Sequence, residues 1–292
     1  MDQLVALPPC LCDDETAALR LSGDATLRLL QGQLTQDISK LEDGQTCWSF
    51  VLKPRGQVVT LVQVARIGDE YLLVTEKSAC EALLQHLKPH LALSRVAVLQ
   101  QDTPWRITEV AVGESLFGSP AADLLHSGRN GVLQHPEGAT LLCDQVLGVP
   151  SLAVFGASLP AGCSARRAQV DAFRILRGEP RFGIDLFENT LPAESGIEAR
   201  TVSYTKGCYC GQEVVAKQHW IGKPRQRLVH FRFTEPVARG DIQVIGTHSV
   251  VLTSVAHEHG IHHALGLVPA AELGTLPAGA ELVAATLPVN SL

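Results

Sequence analysis

The spacing of hydrophobic positions in the first third of the chain predicts a helix followed by strands. Leu27, Leu30 and Leu34 fall on one face of a helix over 25–34, after the capping residues Ser22-Gly23-Asp24. Runs of strand length then alternate with turn residues. The predicted strands cover 47–52, 58–66 and 71–75, the last two forming a hairpin.

Proline and glycine set the predicted boundaries of these elements. Lys53-Pro54-Arg55-Gly56 predicts a turn, because Pro fixes φ and Gly permits the reversal. Ser78 is the predicted cap of a helix that runs to residue 86 and ends before Pro89.

The rest of the chain predicts a further α+β region and then short strands. A strand over 106–112, a short helix opened by Ser119-Pro120-Ala121 and a helix from Ser164 capped by Gly178 come first. Beyond a boundary near 222–224, period-two runs predict a small antiparallel β domain. Its strands cover 228–233, 242–245, 250–255, 264–268 and 282–285.

Composition narrows the class of protein. The 292 residues suggest about two domains, and 46% hydrophobic with 18% charged residues is typical of a folded chain. No uncharged apolar run approaches the 18 residues of a membrane span, so no membrane partner is expected. The start of the chain lacks a basic flank and a signal-type apolar stretch, which predicts a cytoplasmic protein.

The charge balance argues against direct binding of long nucleic acid. The formal net charge is −6, whereas proteins that bind duplexes usually carry a basic footprint. A local patch could still contact a folded RNA. The cations between residues 217 and 232 could meet phosphates or an anionic folate tail, or form a solvated strand edge. They are Lys217, His219, Lys223, Arg225, Arg227 and Arg232.

The densest group of chemically useful residues is the segment 206–213, Lys206-Gly207-Cys208-Tyr209-Cys210-Gly211-Gln212-Glu213. Two glycines bracket Cys208, so we expect a sharp turn that presents its sulfur outward. Lys206 and the start of a predicted helix at Glu213 both favour a thiolate, although Glu213 opposes it. From these residues alone, Cys208 is either a reactive or ligating thiol or a structural one.

The other cysteines and the histidines do not predict a metal site. The pairs Cys10/Cys12 and Cys208/Cys210 lack the ligand spacing of a structural zinc site. The segment 257–263 is rich in histidine, but Gly260 favours a hairpin loop over a helical metal motif. Either a solvated turn or an adventitious metal site fits these histidines.

The segment 206–213 resembles the signature of the YgfZ family, folate-binding relatives of the glycine-cleavage T-protein. The resemblance extends in order over most of the chain. The further matching segments are 20–24, 30–37, 178–185, 191–194 and 253–266.

This resemblance implies an α+β fold with three subdomains around a central folate channel. Residues 1–222 would form the T-protein-like folate-binding region, as two α+β subdomains split near 103. Residues 223–292 would form a small antiparallel C-terminal β-barrel.

The resemblance also implies a function in maintaining or assembling iron–sulfur enzymes, including one that modifies tRNA. Expected partners are a tetrahydrofolate derivative and iron–sulfur enzymes or cluster carriers. Cys208 with Lys206 would carry the chemistry, supported by the motif residues Gly207, Tyr209, Gly211, Gln212 and Glu213. The expected folate contacts are Arg174, Phe182 and Glu194, and no metal ligands are expected.

Two departures from the pattern bear on enzymatic activity and on folate. Aminomethyltransferases of this fold place an Asp-Asp pair where Thr60 and Leu61 stand, and neither can act as a general base. Aminomethyltransferase activity is therefore not expected. Leu176 replaces a glutamate that can bind the pterin, and Glu179 or Glu194 could take its place.

These departures keep two alternative functions open. One is a folate-dependent one-carbon transferase or demethylase. The other is a folate-independent scaffold for a cluster carrier.

Overall fold

The computed structural model describes residues 10–12, 15–101, 105–127, 129–144, 151–158, 167–273, 275–277 and 279–283. Its strands are β1 (Cys10–Cys12), β2 (Thr16–Ser22), β3 (Thr46–Leu52), β4 (Val58–Ile67), β5 (Glu70–Glu76), β6 (Ala97–Gln101), β7 (Trp105–Ile107), β8 (Gly131–Gln134), β9 (Thr140–Asp144), β10 (Ser151–Phe155), β11 (Gln226–Phe233), β12 (Ile242–Ile245), β13 (His248–Glu258), β14 (Ile261–Pro269) and β15 (Ala280–Leu282). Its α-helices are α1 (Thr26–Gln33), α2 (Lys77–Ser94), α3 (Val110–Phe117), α4 (Ser119–Ser127), α5 (Arg167–Leu176), α6 (Glu198–Thr201) and α7 (Gln212–Trp220).

The described strands form three antiparallel sheets of five strands each. The first has the order β3-β4-β5-β2-β6, the second β1-β7-β10-β9-β8 and the third β12-β13-β14-β11-β15. The α+β fold class is thus confirmed. The division of the chain near residues 103 and 222 remains a prediction.

The first two sheets share a buried interface. Eight successive residues of β4, from Val58 to Ala65, are buried, as expected for a strand covered on both faces. Helices α1 and α2 cover one face of the first sheet with leucines. Ala18, Leu72 and Phe155 belong to the apolar cluster that joins the two sheets.

Helix α2 corrects the prediction that Ser78 caps it and Pro89 ends it. The helix begins at Lys77, has no side-chain cap and continues through Pro89 to Ser94. Leu83, Leu87 and Leu91 form a buried stripe along its whole length. Leu91 is the member of this stripe beyond Pro89, and its burial contributes roughly 1.5–3 kcal/mol, comparable with the cost of an internal proline, about 3 kcal/mol.

The predicted strand over 106–112 was also wrong in its second half. Strand β7 ends at Ile107 and α3 begins at Val110. Gly113 is buried in this helix, with Leu152 and Leu125 just beyond its α-carbon. Packing of α3 on the second sheet therefore overrides the strand propensity of the valines.

The first predicted helix is observed as α1, but it begins without a side-chain cap and Leu27 on it is exposed. The helix from Ser164 is observed as α5, although residues 159–166 lie outside the described part of the chain. Gly178 has a φ of 71°, the left-handed conformation expected of a helix cap.

The first four C-terminal strands lie where expected, whereas the strand predicted at 282–285 is observed as β15 and residues 284–285 lie outside the described part of the chain. The sheet curls into a half-barrel around Phe231, Phe233 and Leu252. Among the described helices, none combines the length and the apolarity needed to cross a bilayer.

Candidate functional site

A buried lysine anchors the segment 206–213 to the first helix. Lys206 Nζ donates hydrogen bonds to the backbone carbonyls of Gln31, Leu34 and Gln36, at 2.9, 2.8 and 2.8 Å. These carbonyls lie at and just beyond the C-terminal end of α1, where a cation is favourable. The lysine therefore holds this segment against α1.

The surroundings of Lys206 are unusual for an ammonium group. Burial lowers the pKa of Lys206 to about 8, and its Nζ lies 5.2 Å from the centre of the Tyr209 ring. Burial, together with the charge of Glu198, raises the pKa of Tyr209 to about 12. All three donors of the ammonium are used by carbonyls, so this geometry leaves none for the Cys208 sulfur. The expected action of Lys206 on Cys208 remains a prediction.

Gly211 fixes the other end of the turn. Its φ is 81°, and a Cβ there would lie 2.7 Å from the Lys53 carbonyl oxygen. The turn therefore packs closely against the predicted and observed turn at residues 53–56. Gly207, in contrast, has open space around the position of a Cβ.

The two cysteines of the turn have different environments. Cys208 is exposed, as predicted, whereas Cys210 is half-buried and donates its backbone N–H to the Gly32 carbonyl at 3.0 Å. Burial raises the pKa of the Cys210 thiol. Helix α7 starts directly afterwards with half-buried Gln212 and exposed Glu213. The turn thus presents one thiol to solvent, beside a helix N-terminus.

Arg174, a predicted folate contact, is buried in a protein network. Its guanidinium donates to the Asp171 and Asp185 carboxylates, the Glu179 carbonyl and the Ser254 hydroxyl, at 2.7–3.1 Å. Asp185 is fully buried. Arg174 therefore joins α5 to β13.

Phe182 and Glu194, the other predicted folate contacts, are also engaged by the protein. Phe182 belongs to a core cluster with Phe50 and Leu186. Glu194 accepts the backbone N–H of Leu191 at 2.9 Å, and burial raises the pKa of Glu194. The arrangement of these residues does not fit an open pterin cradle, and their contact with folate remains a prediction.

The positions that depart from the family pattern are accounted for by local packing. The Thr60 and Thr75 hydroxyls share a hydrogen bond of 2.7 Å inside the first sheet, and Leu61 lies in a core cluster. Leu176 packs beside a cluster of α5 and the half-barrel. Glu179 forms a two-pronged ion pair with Arg200. Its carboxylate, which could have taken the pterin-binding role of an acid at position 176, is therefore occupied.

The histidine-rich segment forms the expected hairpin between β13 and β14. His259 and Gly260 both have positive φ, and the centres of the His257 and His262 rings lie 4.3 Å apart. No group of three or more metal-ligating side chains occurs among the residues that the structure describes.

Sequence reasoning missed an exposed pair at the end of α7. Trp220 and Ile221 are 72% and 82% exposed. Their only sequence signal is their position, directly before Gly222-Lys223-Pro224-Arg225.

Comparison with known proteins places this chain among relatives of two kinds. No family model matches it. The tRNA-modifying protein YgfZ of Pectobacterium carotovorum is 25% identical over 234 residues, covering 76% of this chain and 69% of the relative. The YgfZ protein of Vibrio vulnificus is 26% identical over 221 residues, with coverages of 74% and 67%.

Aminomethyltransferases are the second kind of relative. The aminomethyltransferase of Rubrobacter xylanophilus is 28% identical over 269 residues, covering 82% of this chain and 70% of the relative. The crystal structure of the glycine cleavage system aminomethyltransferase T from Bartonella henselae matches with a TM-score of 0.78 at 17% identity, over 90% of this chain and 78% of that one. The chain therefore has the aminomethyltransferase fold and is a relative of the YgfZ proteins and the aminomethyltransferases.

Proposed function

We propose that this chain is a YgfZ-type accessory protein that supports the assembly or repair of iron–sulfur enzymes, including enzymes that modify tRNA. It acts through Cys208 and works in the cytoplasm. The observation that carries the proposal is the exposed Cys208 on a turn held at both ends, by Lys206 and by Gly211. The tRNA-modifying YgfZ relatives support this function.

The geometry suits a thiol that meets another macromolecule. An exposed cysteine can reach a partner protein or the cluster it carries, and the open space around Gly207 leaves the approach free. Because the turn is anchored to α1 and to the 53–56 turn, the sulfur is presented from a fixed position.

Replacement of each cysteine separately tests the role of Cys208. In cells that depend on this protein, Cys208→Ala should strongly lower the activity of an iron–sulfur enzyme that modifies tRNA. Cys210→Ala is the matched control, because it removes a thiol two residues away that is half-buried. Equal losses from both variants at equal protein levels would contradict the proposal.

A tetrahydrofolate derivative is the proposed small-molecule ligand. The support is the relationship to YgfZ proteins and aminomethyltransferases, since Arg174 and Glu194 are engaged by protein groups. Calorimetric titration with tetrahydrofolate and with 5-formyltetrahydrofolate should show micromolar binding. No heat and no thermal shift up to millimolar ligand would favour the folate-independent scaffold, with Cys208 still to be tested.

A one-carbon transferase is the second candidate function, favoured by the likeness to the Rubrobacter xylanophilus aminomethyltransferase. Thr60 and Leu61 count against it, because neither side chain can act as a general base. We expect no steady formation of methylenetetrahydrofolate from tetrahydrofolate and an aminomethyl donor. Turnover that persists in Cys208→Ala would revive this candidate.

A further inference from the structure

An exposed surface that combines apolar and cationic side chains follows the cysteine turn. We call it the basic aromatic surface, and it consists of Lys217, Trp220, Ile221, Lys223, Arg225 and Arg227. All six side chains are exposed. The backbone N–H groups of Ile221 and Gly222 both donate to the Lys217 carbonyl at 3.0 Å, which folds the chain back on the end of α7. The four cations lie within seven positions of Trp220 along the chain.

The Trp220 ring is held by its neighbours without being stacked on them. His219 stacks on Tyr204 with ring centres 3.6 Å apart. The Trp220 ring stands at 88° to His219 and at 71° to Tyr204. Since Trp220 is 72% exposed, flat π-surface remains open to a ligand.

The cations of this surface have no close acidic partner in the part of the chain that the structure describes. Lys217, Lys223, Arg225 and Arg227 form no ion pair within 4.0 Å with any residue that the structure describes, although the field of Arg225 reaches the buried Glu194. From 214 to 234 the sequence has no Asp or Glu. A chain with a net charge of −6 thus carries, on both sides of the exposed Trp220 in the sequence, four exposed cations without an ion pair among the described residues.

We propose that the basic aromatic surface binds an unpaired segment of an RNA. A base stacks on Trp220 while the neighbouring cations hold the adjacent phosphates, the combination found in single-strand binding sites. A duplex offers no free base face to Trp220. A protein partner fits less well, because the apolar area is confined to two adjacent side chains among four cations. The inference goes beyond the proposed function, since binding would need neither folate nor Cys208.

Fluorescence anisotropy of the full chain with a labelled RNA stem-loop tests the proposal. Trp220→Ala should weaken binding at least about fivefold, and Trp220→Phe should largely retain it. The double variant Lys223→Glu/Arg227→Glu should weaken binding about tenfold or more and flatten its dependence on salt between about 50 and about 200 mM. Lys77→Glu/Lys88→Glu makes the same charge change at exposed positions of α2 and should bind like the wild type.

Several outcomes would overturn the proposal. They are no binding of the stem-loop by the wild type at low salt, equal binding of a fully paired duplex, or unchanged binding by a folded Trp220→Ala variant. Equal affinity for polyglutamate, independent of Trp220, would mean that the surface responds to charge alone. Two further measurements on Trp220→Ala, in which Cys208 is intact, distinguish failure of RNA binding from failure of the proposed function. They are titration with tetrahydrofolate and the activity of the dependent iron–sulfur enzyme in cells.

Discussion

Cys208 and Cys210 illustrate how one intervening residue separates two chemical environments. Tyr209, between them, is buried against the Lys206 ammonium, and this fixes which way the turn faces. Cys208 is consequently exposed while Cys210 contacts α1 through its backbone. At this scale the first difference between the two thiols is their accessibility to solvent.

We predict that Cys208 is alkylated before Cys47, Cys80, Cys143 and Cys210. Cys80 and Cys143 are buried, and burial also raises the pKa of Cys47 to about 12. Brief treatment of the native protein with iodoacetamide, followed by peptide mass spectrometry, should label Cys208 at least about tenfold faster than Cys210. Comparable labelling of the two residues would contradict the observed exposure.

The two glycines that flank this turn should differ sharply in their tolerance of alanine. Gly211→Ala should lower the free energy of unfolding by about 2–3 kcal/mol, because it adds left-handed strain and a contact with backbone oxygen of Lys53. Gly207→Ala is the matched control and should change stability by less than about 0.5 kcal/mol. Urea unfolding measures both, and an equal effect would show that the turn is not held as described.

At the scale of elements, a histidine pair ties β11 to β14 beside the end of α5. The His230 Nε2 and His263 Nδ1 atoms lie 3.0 Å apart, and a Cβ on Gly178 would lie 3.1 Å from His230 Nδ1. Burial, with the charges of His263 and Arg232, lowers the pKa of His230 to about 4. A neutral His230 is therefore part of this junction.

This junction predicts sensitivity to acid. Between the unfolded pKa of 6.5 and the folded pKa of about 4, the unfolded chain binds more protons. His230 therefore contributes roughly 3 kcal/mol to the free energy of unfolding above pH 6.5. This contribution is lost as the pH falls toward 4. His230→Gln should flatten the stability profile in urea unfolding, whereas His126→Gln, at an exposed position, should not. If both variants showed the same dependence of stability on pH, His230 would be ruled out as the source of the acid sensitivity.

Helix α2 shows where element-level reasoning from the sequence reached its limit. Pro89 correctly identifies a position without a backbone donor, but the leucine stripe continues beyond it. Whether a helix tolerates a proline depends on what the following turn packs against. That surface is formed by the first sheet and α1, whose assembly the residues around Pro89 do not record.

At the scale of the whole molecule, Arg174 connects parts of the chain that are distant in sequence. Its guanidinium reaches Asp185 after α5 and Ser254 on β13, and both of these side chains are buried. Asp185 also accepts hydrogen bonds from Ser254, at 2.7 Å, and from the Thr253 hydroxyl. The network fixes the half-barrel strand β13 relative to α5.

Loss of this connection should be costly. Arg174→Met should lower the free energy of unfolding by about 3 kcal/mol, because Asp185 would remain buried without its ion-pair partner. Arg177→Met, at an exposed position beside the same helix, should change it by less than about 0.5 kcal/mol. A cost below about 1 kcal/mol for Arg174→Met would mean that Asp185 finds other compensation.

The sequence by itself determined the α+β class, most strands and the outward-facing Cys208, because period-two runs and glycine turns act over a few neighbouring residues. Only the tertiary structure decided that Lys206 caps α1, that Arg174 and Glu194 are occupied by protein groups, and that Trp220 is exposed. The partners of Lys206 and the two main side-chain partners of Arg174 lie between 11 and 175 positions away. Long-range contacts of this kind depend on how the sheets pack, which no local pattern records.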